Sequence, residues 1–186
     1  MENIKVGLFV GSLRKESFNK KIANYLISIA PKGYEYQSIE IGQLPFYNED
    51  LEGDKLPAVY QEFRATLEAL DAFIFVTPEY NRSVPAVLKN AIDVGSRPYG
   101  KAKWNKKPAA VISSSIGAIG GFGANHHLRQ SLVFVDVPTM AQPEAYIGHV
   151  SKLFDEQGKL INEDTAKFLK EYLAAFSTWV ERFVKK

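Results

Sequence analysis

Apolar and polar positions alternate along the chain in two periods that take turns. Lys5 to Val10 (KVGLFV) is a short apolar run that reads as a first strand, and Asn19 to Ala30 reads as a helix with Ile22, Leu26 and Ile29 on one face. Pro31 and Gly33 end that helix. Tyr36 to Ile41 is expected as a second strand, followed by a long loop, GQLPFYNEDLEGDKLP. Ala58 to Leu70 repeats the helical spacing through Val59, Phe63, Leu67 and Leu70. Ala72 to Val76 (AFIFV) is continuously apolar, the pattern of a strand covered on both faces. A capping-type residue, Ser83, and a first-turn proline, Pro85, open a third helix with Val84, Leu88, Ala91 and Ile92 in register.

The second half continues in the same way. A polar loop, SRPYGKAKWNKK, reads as solvated and leads into a fourth strand, PAAVISS. The glycine-rich SIGAIGGFGAN precedes a helix through His127, Leu128, Ser131, Leu132 and Val135. A fifth strand falls within TMAQPEAYI, and the final helix is expected from Asp164 to Val184, with Leu169, Leu173, Phe176, Val180 and Phe183 as its core stripe. Regular strand–helix alternation with buried strands predicts an α/β fold, a parallel sheet wrapped by helices on both faces. Five such units in 186 residues fit the flavodoxin-like three-layer sandwich, strand order 2-1-3-4-5, in a single domain over residues 1–186.

In such a sheet, ligands bind outside the carboxyl ends of the strands, near the switch point between strands 1 and 3. The loops there are GSLRKESFN, TPEYNRSVP and SSSIGAIGGFGAN. The first is neither a G-x-G-x-x-G turn nor a G-x-x-x-x-G-K-[ST] cradle. It offers side-chain donors, Arg14 and the N–H groups of the next helix, a set that suits a terminal phosphate monoester and so a mononucleotide. The plainer alternative is a turn in which Ser17 or Asn19 caps a helix. In the second loop, Tyr80 and Asn81 are able to stack on a flat ring and bond its polar edge; alternatively Tyr80 covers core. In the third, the glycines let backbone N–H groups approach a ligand at the start of a helix, or simply form a flexible connection.

Composition narrows the field. There is no cysteine, and the net charge is +2. Disulfides, thiolate nucleophiles and cysteine metal sites are thereby excluded, and so small a charge gives no ground for nucleic-acid binding. No apolar run approaches the ~20 residues of a membrane span, and the start, MENIKVGLFVGS, has no signal-peptide pattern, so a cytoplasmic location is expected. The three histidines, His126, His127 and His149, lack metal spacing and are expected to be solvated or capping.

Together the three loops resemble the NADPH-dependent FMN reductase family, flavodoxin-like enzymes that include bacterial quinone, chromate and azo-dye reductases. The motifs that carry the resemblance are GSLRKESFN, PEYN followed by S-x-P-x-x-L-K-N, and SSSIGAIGGFG, and it extends from Ile4 to about Ile147. It implies bound FMN as cofactor, NADPH or NADH as electron donor, and a quinone-like acceptor, reduced by two electrons in a ping-pong cycle. By that resemblance Ser12, Arg14, Ser17 and Asn19 hold the FMN phosphate, and Pro78, Glu79, Tyr80 and Asn81 border the isoalloxazine. Ser113, Ser115 and Gly117 lie at its pyrimidine side, with backbone N–H groups near Gly117 stabilising negative charge on the reduced ring. No side chain is expected to act as acid or base, since the flavin carries the chemistry. The resemblance also implies a homodimer or homotetramer; the helices after strands 3 and 4 are apolar beyond one stripe (Val84, Val87, Leu88, Ile92; Leu132, Val133, Phe134, Val135), which makes them candidate surfaces or, alternatively, more deeply buried helices. It departs at Val94, where relatives often carry tryptophan. Alternative functions on the same fold are a single-electron carrier of the flavodoxin type, for which a pI near 8.6 is unusually basic, or a reductase handing reduced FMN to a partner monooxygenase.

Overall fold

The structure is a computed structural model that describes residues 3–184. Five parallel strands form one sheet in the order β2-β1-β3-β4-β5. They are β1 (Ile4–Val10), β2 (Tyr34–Ile39), β3 (Ala72–Thr77), β4 (Ala109–Ser114) and β5 (Ala145–Ile147). The helices are α1 (Phe18–Ser28), α2 (Ala58–Ala69), α3 (Ala86–Gly95), α4 (Phe122–Phe134) and α5 (Glu163–Val180). This is the flavodoxin-like order expected from the alternation of elements.

The period-2 geometry of the strands divides the core in two. Val6, Leu8 and Val10 of β1, Ile74 and Val76 of β3 and Ile112 of β4 face α1 and α5. Phe9, Phe73, Phe75 and Val111 face α2, α3 and α4. All six residues of β3 and all six of β4 are buried, as a strand covered on both faces requires.

Several boundaries differ from the sequence expectation, each for a local reason. β2 runs two residues earlier, because its ladder with β1 begins at Ile4–Tyr34 and ends at Phe9–Ile39, one residue before the end of β1. Ile41 still reaches the second core, from the loop. α3 starts at Ala86 with Pro85 at its N-cap; Ser83 is not the cap, since its backbone is held in a two-way bridge with Tyr80. α5 stops at Val180, so Phe183 leaves the expected stripe and is 40% exposed.

The KAKWNKK loop is not simply solvated. Trp104 is fully buried and lies edge-on to Phe9, Phe63 and Phe73. Its indole N–H donates to Ile92 O at 3.0 Å. The last residue of α3 is Gly95, where a Cβ would stand 2.4 Å from the indole nitrogen, so only glycine admits the ring. The preceding Val94 is buried in the same core. A second anchor serves the long loop after β2: buried Arg64 makes two bonds to the carboxylate of Glu52 and donates from Nε to Val94 O at 2.9 Å.

Removing the indole leaves a large cavity beneath three helices. Trp104→Ala is expected to destabilise the fold by about 3–5 kcal/mol, read from the urea midpoint of unfolding.

Candidate functional site

The carboxyl ends of β1, β3 and β4 open into three loops, and the sheet order places β1 and β3 side by side with β4 next to them. In the first loop, Ser12 is buried while Arg14 is exposed, with no ion-pair partner among the described residues. Ser17 is the N-cap of α1, its Oγ accepting from Lys20 N–H at 3.3 Å. Asn19 points inward: its Oδ1 accepts from the Ser114 hydroxyl at 3.0 Å, joining α1 to the end of β4. The first turn of α1 contains no acidic residue. The loop thus gathers Ser12, Arg14 and the α1 N-terminus at one end of the sheet edge, while Ser17 and Asn19 serve the fold.

The second loop turns sharply. Tyr80 and Ser83 exchange both backbone hydrogen bonds at 3.0 Å, and the two residues between them, Asn81 and Arg82, have φ of 50° and 64°. That is the pattern of a tight hairpin turn with both central residues left-handed, easy for asparagine and strained for arginine. The Tyr80 ring stands exposed beside Pro78. Glu79 turns the other way, its Oε2 accepting from Ala124 N–H in the first turn of α4 at 3.1 Å.

The third loop departs most from expectation. Ser113 is fully buried; its hydroxyl donates to Ala145 O and accepts from the Asn125 amide, so it braces the β4–β5 end. Ser115 Oγ accepts from Gly117 N–H at 3.1 Å. Gly117 is thus not at a helix N-terminus: α4 begins at Phe122, after Gly120 and Gly121, both left-handed with φ of 64° and 78°. Residues 116–119, including Ile116 and Ile119, form an exposed apolar lip.

Residues outside the three motifs complete the frame. Asn125 donates to Val111 O, Ser113 Oγ and Ala145 O, and accepts from Arg129 Nε at 2.8 Å. Beside the lip, the Tyr146 hydroxyl donates to Glu144 at 2.7 Å. Its single proton is spent there, so the 2.9 Å contact with His126 places a proton on Nε2, donated to the tyrosine oxygen. Burial and the bond to Glu144 push the Tyr146 hydroxyl up to about 12. Phe122 packs on His126. Nothing in a single sequence marks Ser114, Asn125 or Tyr146, because their roles depend on partners 12 to 95 residues away.

The donor chemistry fits FMN. An N–H-rich end with a cation and no acid in the first helical turn suits a dianionic phosphate, and an exposed aromatic hairpin together with an apolar lip at the same sheet edge suits a flat ring. A model of the NADPH-dependent FMN reductase family matches residues 4–152.

The chain belongs to this family.

FMN is accordingly its cofactor and NAD(P)H its electron donor. Among similar proteins, a quinone reductase of Pseudomonas putida is 56% identical over 95% of this chain and 94% of its own length. A 2-hydroxy-1,4-benzoquinone reductase of a Burkholderia species is 43% identical over 95% of this chain and 96% of its own. In structure, the flavoenzyme NAD(P)H:(acceptor) oxidoreductase FerB of Paracoccus denitrificans superposes with a TM-score of 0.90 at 42% identity, covering 97% of this chain and 98% of that one.

Proposed function

We propose that this FMN reductase transfers two electrons at a time from NAD(P)H to quinones, with azo dyes, chromate and free flavin as further acceptors. The observation that supports the reading is the difference along the carboxyl edge between an acid-free helix start preceded by Arg14 and an exposed apolar end with Tyr80, Ile116 and Ile119. Bound FMN supplies the redox chemistry. Arg14, Ser12 and the α1 N-terminus hold its phosphate, and Ser17 fixes where that helix begins. Pro78, Tyr80 and Asn81 border the ring on one side, with Ser115 and Gly117 on the other. The lip of Ile116 and Ile119 gives an apolar approach for a planar acceptor. Because the ring end is open, donor and acceptor use it in turn, a ping-pong order. The names of the relatives, two of them quinone reductases, support the acceptor class.

The protein is further proposed to work as a homodimer or homotetramer. Of the candidate apolar surfaces, Leu88, Ile92, Leu132 and Val135 belong to the core, whereas Val133 and Phe134 at the end of α4 are 75% and 80% exposed. Phe134 lies between two grooves, one lined by Ser83, Lys89 and His127, the other by Tyr99 and Ala102. Two adjacent large apolar side chains left bare at the end of α4 support an interface there.

Two measurements follow. Purified protein should be yellow or take up FMN, bleach anaerobically with NAD(P)H, and recolour on addition of a quinone. Arg14→Gln should weaken FMN retention roughly three- to tenfold, the loss of one charged hydrogen bond discounted for exposure, with unchanged apo-protein melting. A colourless protein that ignores added FMN would sink the reading. For assembly, light scattering should show Phe134→Glu shifted toward the monomer; a variant with the assembly state of the parent would place the interface elsewhere.

A further inference from the structure

We infer that Glu79 is a positioning residue that sets the reduction potential of the bound flavin. Its carboxylate locks the β3–α3 loop to the start of α4, and its charge offsets the positive end of that helix. The inference rests on the proposed placement of FMN between these loops.

The helix brings no cap of its own. Its N-cap is Gly121, which has no side chain, and its first turn holds no acidic residue. The N–H groups of a first turn have no partner within the helix. Glu79, 45 residues earlier, supplies one, accepting from Ala124 N–H at 3.1 Å with a side chain that is 14% exposed. The fit is close on both sides. A Cβ at Gly123 would stand 2.9 Å from Glu79 Oε2 and 2.7 Å from Arg82 O, so any larger residue there would dislodge the carboxylate or the hairpin. Arg82 contacts Oε1 at 3.5 Å, but its side chain is 76% exposed, and solvent screens most of that compensation. The carboxylate therefore acts mainly on the helix end.

The consequence is electrostatic. An unopposed helix N-terminus favours negative charge nearby. Reduction adds negative charge to a flavin, so a bare α4 terminus would draw electrons onto the ring and hold them. Glu79 cancels part of that pull and leaves the reduced cofactor a stronger donor to acceptors. The α1 terminus has no acidic residue in its first turn, as an end that receives a phosphate requires.

Glu79→Gln separates charge from geometry, since the amide keeps an acceptor oxygen at the same reach. The midpoint potential of bound FMN, measured by anaerobic titration against reference dyes, should rise in this variant. The expected change is a three- to tenfold tightening of reduced over oxidised FMN, about 15–30 mV for a two-electron couple. The melting temperature should barely move. An unchanged potential in a variant that still binds FMN would overturn the inference and leave the flavin site standing. Failure of the parent protein to take up FMN would overturn both. Should the glutamine variant not fold, Glu79→Asp carries the test: it keeps the charge but withdraws the contact, so melting should fall while the potential stays at the parent value. A potential that rises in the aspartate variant would contradict the role of charge.

Discussion

Parallel strands end without hairpins, so the loops at a carboxyl edge have no ladder to hold them together. Here long-range side-chain hydrogen bonds replace the ladder. Asn19 to Ser114 spans 95 residues, Glu79 to Ala124 spans 45, and Asn125 gathers the ends of β4 and β5. Each donor or acceptor is partly or wholly sheltered from water. Losing one partner of a buried pair strands the other, at about 1–3 kcal/mol. The loops are therefore held in one frame by polar groups that must be satisfied.

That frame is asymmetric. The α1 terminus follows a loop that carries Arg14 and has no first-turn acid, whereas the α4 terminus meets the Glu79 carboxylate. On the proposed reading, one end receives the phosphate and the other moderates the charge of the ring. The tight turn at Asn81 and Arg82 accepts backbone strain to bring Glu79 and the exposed Tyr80 ring to opposite sides of one short loop.

The architecture was legible because periodicity reports burial. AFIFV reads as a doubly covered strand and is one; PAAVISS reads as a strand, and its six strand residues are buried as well. What a single sequence hid were the outcomes decided by distant partners. Trp104 sits among lysines in a loop that looks solvated, and it is the space at Gly95, the Ile92 carbonyl and the phenylalanines of β1, β3 and α2 that draw it inside. Ser83 has the chemistry of a helix cap but is claimed by a hairpin. At the site, the loops were readable as motifs, whereas the direction of each side chain was not. Ser113 points into the sheet, Gly117 lies five residues before its helix, and Glu79 spends its carboxylate on another helix.

The central claim is that FMN occupies the carboxyl edge of β1, β3 and β4. Amide hydrogen exchange with and without FMN tests it directly. Protection is expected within residues 12–20, 78–82 and 115–124, with the rest of the chain little changed. Protection along the α3–α4 groove around Lys89, Asp93 and His127, with the three loops exchanging as before, would contradict it.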